Sequence, residues 1–213
     1  MTINKVGLIN CGSGNFGSVA NSLNYLDINF REVSHPDQFK ELSHVILPGV
    51  GSFGEVMLKL EDLNLIEALV ESVKNRNIYY LGICVGMQIL VEKGLEFGEH
   101  PGLGLINGEC TKIDITNQDL RLPHVGWNEV EFKTENPLFK DIDSSSSFYF
   151  VHSYEVICRD NQNSIATCEY AQAITAAVQE KNIFGVQFHP EKSQTDGLKL
   201  LKNFCELEIN SNA

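Results

Sequence analysis

Three stretches of this sequence carry residue types that could do chemistry together. In LGICVGMQIL, residues 81–90, Cys84 lies between Gly82 and Gly86, where a strand-like apolar run, NIYYLGI, gives way to a helix-like one over Met87–Val91. Glycines in a G-x-C-x-G pattern allow a sharp strand-to-helix turn that pushes the central side chain out at the end of a sheet. A thiol at the start of a helix also feels the positive end of the dipole, which favours thiolate. In GVQFHPEKS, residues 185–193, His189 and Glu191 are two apart and Pro190 holds the segment extended, so both side chains can share one face. His189 could hold the Cys84 proton while Glu191 fixes the other ring nitrogen. In LPGVGSFGE, residues 47–55, Pro48, Gly49 and Gly51 make a loop whose amides could join the N–H of Val85 in holding an oxyanion. Each stretch also has a plainer reading, as a small buried thiol, a turn after a strand, and a strand-ending loop.

Periodicity supplies the elements that must position these groups. The first half alternates: strands at KVGLIN, INFREVS, HVILP and NIYYLGI, a helix at SVANSLNYL, and one or two amphipathic helices over VMLKLEDLNLIEALVESVKN. That alternation predicts a parallel sheet with helices on its faces. The second half is richer in strands, at GECTKIDI, WNEVEF, SFYFVHS, ITAAVQ and NIFGVQF, and closes with a helix from about Gly197 to Glu208. No linker or repeat divides residues 1–213, so a single α/β domain is expected, with a central mostly parallel sheet and an additional antiparallel region.

Composition narrows the function. The chain has 213 residues, 43% of them hydrophobic, enough for one sizeable core. A formal charge of -12 disfavours nucleic-acid backbones and anionic lipid, and no apolar window approaches a spanning helix or a signal peptide, so a cytoplasmic protein with neither partner is expected. The six cysteines, Cys11, Cys84, Cys110, Cys158, Cys168 and Cys205, are scattered without a C-x-x-C pair or a zinc-ligand spacing, which predicts free thiols and no structural metal. His35, His44 and His100 sit in loop-like or polar contexts and read as plain surface residues.

In order along nearly the whole chain, GSGNFGSV, ILPGVGSFGE, LGICVGMQIL, LPHVGWNEV, FYFVHSYEV and GVQFHPEKSQTDGLKLLKNF resemble the class I, triad-type glutamine amidotransferases, and more closely the glutaminase subunits of imidazole glycerol phosphate synthases. The resemblance implies a flavodoxin-like fold, L-glutamine as substrate, no metal or organic cofactor, and a heterodimer with a (β/α)8 cyclase that receives the ammonia. It makes Cys84 the nucleophile, His189 the acid and base, and Glu191 its orienter. Gln88, Glu96, Ser153 and Tyr154 match substrate-binding positions, and Gly49, Val50 and Gly51 the oxyanion strand. The PHVGWN segment, with His124, Gly126, Trp127 and Asn128, matches a stretch at the cyclase interface; a core Trp127 is the competing expectation.

The match has departures. Asn10-Cys11 stands where the family has Asp-Tyr, and Gly17 where it has Arg, which leaves open a related branch that supplies ammonia to an amidotransferase acting on nucleotide- or polysaccharide-linked sugars. Two other classes compete. GSGNFG, residues 12–17, with Glu32 about 20 residues on, fits a dinucleotide-binding fingerprint, and an inactive interaction subunit could keep the fold; the three chemical stretches argue against both.

Overall fold

The structure, a computed structural model, describes residues 5–12, 15–116 and 120–208. Its strands are β1 (Val6–Ile9), β2 (Phe30–Val33), β3 (His44–Gly49), β4 (Tyr79–Cys84), β5 (Lys93–Gly94), β6 (His100–Pro101), β7 (Gly108–Lys112), β8 (His124–Glu129), β9 (Glu131–Phe132), β10 (Ser147–His152), β11 (Tyr154–Cys158), β12 (Ser164–Tyr170), β13 (Gln172–Glu180) and β14 (Ile183–Val186). The helices are α1 (Phe16–Tyr25), α2 (Phe53–Asp62), α3 (Ile66–Asn75), α4 (Val85–Gln88) and α5 (Gln194–Cys205).

An eight-stranded sheet runs β2-β1-β3-β4-β14-β13-β12-β9. Its first five strands are mutually parallel, and β13, β12 and β9 extend it antiparallel. This is the mostly parallel sheet with an antiparallel region that the alternation predicts. The runs VGLI, HVILPG and IFGV are buried at every residue, as strands covered on both faces must be. Two smaller sheets, β10-β8 and β11-β7-β5-β6, stand beside the main one.

The predicted elements between Lys5 and Tyr80 are found, and the long amphipathic run is two helices. Asn64 breaks it with a φ of +55° while Leu65 N–H bonds back to Leu60 O at 2.9 Å. Strands β5, β6, β11 and β12 were not predicted. The helix expected over Met87–Val91 is corrected: α4 is a single turn ending at Gln88. The physical reason is capture of the following carbonyls from outside, by Leu103 N–H on Ile89 O (2.7 Å), Leu105 N–H on Leu90 O (2.9 Å) and Gly104 N–H on Val91 O (3.1 Å).

His44 is a second correction. It is fully buried at the head of β3, stacked on Tyr79 at 5.1 Å and edge-on to Phe204 at 5.3 Å, and burial pushes its pKa down to about 4. Its apolar neighbours come from distant segments, which local polarity cannot reveal. His35 does lie at the surface, capping the turn at Pro36–Glu41, and His100 is half-buried against Gly54.

The elbow is built by close approach. A Cβ on Gly86 would lie 2.0 Å from Leu47 O, and one on Gly82 2.1 Å from Gly86 O, so β3, β4 and α4 meet backbone to backbone. Tyr80 O–H, wholly buried, ties the turn down by donating to Gly86 O at 2.8 Å. Gly86→Ala is therefore expected to cost about 3 kcal/mol or more, because the clash is with backbone that no rotamer change relieves. Thermal or urea unfolding checks this, and an unchanged midpoint would contradict the packing.

Candidate active site

Cys84 ends β4 with φ +55° and ψ −110°, a conformation that side-chain-bearing residues rarely adopt. The positive φ at the turn belongs to the cysteine itself, while Gly82 and Gly86 serve by close approach. Sγ faces a cavity of about 350 Å³ whose lining includes Val50, Gly51, Val85, Gln88, Glu96, Ser153, Tyr154 and His189. Nine predicted site residues, Cys84 among them, thus converge there from the loop after β3, the end of β4, α4, the β5–β6 loop, the β10–β11 junction and the segment after β14. Gly49 sits beneath, packed on the Gly86 amide, and does not line the cavity.

His189 and Glu191 form a wholly buried pair, with Nδ1 to Oε1 at 2.8 Å. The same carboxylate oxygen accepts from Asn15 Nδ2 at 2.7 Å, so the residue preceding α1 clamps the pair from the other end of the chain. Burial on its own lowers the His189 pKa, but the neighbouring Cys84 sulfur and the Glu191 carboxylate outweigh it and raise the value to about 9. His189 Nε2 is buried with no bonded partner among the described residues, so the nitrogen on the Cys84 side is free to serve a reacting group.

The sign of the pH effect follows. An imidazolium with a pKa raised from 6.5 to about 9 contributes stability in full below pH 6.5 and loses it as pH rises through about 9. A reaction that needs this proton loses rate in the same window. The expected kcat/KM profile for glutamine therefore holds through neutral pH and falls about tenfold per unit above roughly pH 9; a fall centred near pH 6.5 would contradict the pairing.

Around the sulfur, Val151 O lies 4.0 Å from Sγ and Gln187 Nε2 donates to Sγ at 3.6 Å. Gln88 Nε2 donates to Tyr154 O and to Gln187 Oε1, each at 3.0 Å. With both hydrogens used, Gln88 offers the cavity only its carbonyl oxygen, an acceptor for an amino group. Glu96 Oε2 accepts the Phe53 N–H at the start of α2 at 2.8 Å. Asn15 and Gln187 were missed in the sequence. Asn15 lay inside the GSGNFG pattern and Gln187 inside a strand-like run, and only the fold shows what their amides face. Ser13 and Gly14 of that pattern lie outside the described residues. Asn15 is committed to Glu191, which ties the GSGNFG segment to the triad, and the exposed Glu32 accepts from Asn10 Nδ2 at 2.8 Å.

The PHVGWN segment forms β8 and lies outside the cavity apart from Pro123. Trp127 is 49% exposed and Val125 56%, which overturns the core reading of Trp127. His124 points the other way and is buried between Phe150 and Tyr170, so it offers nothing to a partner surface. Gly126 and Asn128 are half-buried. All six cysteines are buried and outside any disulfide, and burial pushes Cys158 up to about 11 and Cys168 and Cys205 up to about 12. No group of metal-ligating side chains occurs among the described residues, and no helix among them is long and apolar enough to cross a membrane.

The sequence pattern of the family "Glutamine amidotransferase class-I" matches residues 7–207. The chain belongs to that family. Curated relatives of this amidotransferase include the imidazole glycerol phosphate synthase subunit HisH 1 of Campylobacter jejuni (strain RM1221), 45% identical over 203 residues that cover 95% of this chain and 100% of that protein. The HisH subunit of Sulfurimonas denitrificans is 42% identical over 94% of this chain and 97% of its own. A solved structure titled "Crystal structure of glutamine amidotransferase" superposes with a TM-score of 0.73 at 19% identity, covering 94% of this chain and 97% of that one, and shares the fold.

Proposed function

We propose that this chain is the glutaminase subunit of an imidazole glycerol phosphate synthase, a single domain over residues 1–213 that works in the cytoplasm as a heterodimer with a (β/α)8 cyclase. The observation that carries the chemistry is a strained Cys84 opening on a cavity beside the buried His189–Glu191 pair. The relatives' identity supports the histidine branch over the sugar-linked one.

The Cys84 thiolate attacks the glutamine carboxamide carbon, forming a C–S bond, and amides near Val50, Gly51 and Val85 hold the oxyanion. The His189 imidazolium gives its proton to the leaving nitrogen as the C–N bond breaks, releasing ammonia. The neutral ring then takes a proton from water, hydroxide opens the thioester, and glutamate leaves with the thiolate restored. Glu191, held by Asn15, keeps Nδ1 protonated and Nε2 aimed at the reacting atoms. Gln88, Glu96, Ser153 and Tyr154 hold the substrate, and no cofactor takes part.

The cyclase covers the β8–β10 ribbon. Val125 and Trp127 are exposed there, with Tyr149 paired to Trp127 and Val151 to Val125. Val151 also lines the cavity, so a partner on this ribbon sits at the mouth from which ammonia must leave. A glutamine-like diazoketone should alkylate Cys84 and leave the other five thiols intact, as mass spectrometry of the digested protein would show. Label spread over several cysteines, or absent with the cyclase present, would contradict the proposal.

A further inference from the structure

Gln187 follows β14 with no exposed surface, its Nε2 3.6 Å from Cys84 Sγ and its Oε1 bonded to Gln88. An amide can be turned over, so which end meets the sulfur has to be argued from its neighbours. The carbonyl of Tyr154 only accepts, and it lies 3.0 Å from Gln88 Nε2 and 2.8 Å from His152 Nδ1. Gln88 must therefore turn its NH2 there; the second hydrogen of that nitrogen faces Gln187, which must answer with oxygen. The Gln187 nitrogen is thereby left for the sulfur.

The other arm of the network is equally determined. With Nδ1 protonated, the neutral His152 ring has Nε2 as an acceptor for His124 Nδ1 at 3.1 Å. His124 Nε2 then accepts from Asn128 Nδ2 at 3.3 Å, and that nitrogen is itself identified by Glu169 O at 2.8 Å. Burial keeps both rings neutral, holding His124 to about 4 and His152 to about 3. From Asn128 to Tyr154 O, each donor meets an acceptor.

We propose that Gln187 is a further catalytic residue, whose side-chain N–H donates to the Cys84 sulfur and holds it as thiolate, with Gln88, Tyr154 O and His152 as positioning groups that fix its direction. This rests on the reading of Cys84 as the nucleophile. The single turn of α4 supplies little of the dipole that a long helix would bring to the sulfur, and a fixed amide donor replaces it. When the thioester breaks and the C–S electron pair returns to sulfur, the same N–H receives it.

The test is the pH dependence of Cys84 alkylation by iodoacetamide, read on the Cys84 peptide, which requires neither glutamine nor a partner. The titratable groups facing the sulfur or its cavity are His189 with Glu191 behind it, Cys110 on β7, Glu96 on the β5–β6 loop, His152 on β10 and Tyr154 on β11, and Gln187→Met replaces none of them. In Gln187→Met, alkylation at pH 7 should slow about tenfold and recover at higher pH, with kcat for glutamine down about tenfold and KM changed less than about threefold. An alkylation profile superimposable on wild type in a folded variant would overturn the proposal. Should Gln187→Met fail to fold, Gln88→Met, which frees Gln187 to turn its oxygen to the sulfur, should show the same slowing, and an unchanged profile there would equally overturn it. The predicted slowing in a chain that hydrolyses no glutamine would support Gln187 and count only against the glutaminase reading.

Discussion

Cys84→Ala is expected to lower glutamine hydrolysis by about ten-thousand-fold or more while the protein stays folded. Alanine removes the only atom that can form the thioester, and the remaining amides and His189 can at best orient a water. The fold should survive, because Cys84 contributes one small buried side chain with no disulfide. The backbone makes a sharper statement: at φ +55° and ψ −110°, any Cβ is strained. Cys84→Gly should therefore be equally inactive yet more stable than Cys84→Ala, by about 1–2 kcal/mol. Stability traded for a presented sulfur is what an elbow built for chemistry predicts, and urea unfolding of the two variants measures it. Equal stability would mean that the elbow stores no strain.

His189→Asn is expected to reduce kcat by about a thousandfold or more and to abolish the fall in activity near pH 9. Asparagine can neither give the leaving nitrogen a proton nor activate the water. Removing the ring also takes from Glu191, whose side chain has no exposed surface, its charged partner, leaving the carboxylate with only the Asn15 amide on Oε1 and, among the described residues, nothing on Oε2. A buried carboxylate that loses its cationic partner costs about 3 kcal/mol, so a drop in melting temperature should accompany the loss of rate. Glu191→Gln should do less, roughly ten- to a hundredfold on kcat, because its task is orientation. Combining His189→Asn with Cys84→Ala should be no worse than Cys84→Ala alone, since residues acting in one step do not add. Full additivity would place His189 outside the chemistry.

Much of this site was legible as sequence, for physical reasons. A glycine two residues either side of a cysteine at a change of hydrophobic period describes an elbow locally, and His-Pro-Glu describes two side chains on one face locally. The parallel half of the sheet was legible because strands covered on both faces read as unbroken apolar runs. What stayed hidden depends on segments far apart in the chain. Asn15 meets Glu191 across 176 positions and Gln187 meets Cys84 across 103; nothing near either residue marks the meeting. The SIATCEY run of β12 mixes small and polar residues, so its side-chain pattern is weak, and what makes it a strand is backbone pairing with β13 next to it and with β9, which lies elsewhere in the chain. The truncation of α4 and the burial of His44 have the same origin, partners supplied by remote loops and helices.

The most direct test of the central claim is glutamate release from glutamine by the purified chain, alone and titrated with the cyclase subunit of imidazole glycerol phosphate synthase and its nucleotide ligand, with Cys84→Ala as control. The account predicts a large, saturable rise on adding the cyclase that is absent in Cys84→Ala. Glutamate release that Cys84→Ala leaves intact would contradict the nucleophile assignment, and a Cys84-dependent activity indifferent to the cyclase would contradict the proposed partnership.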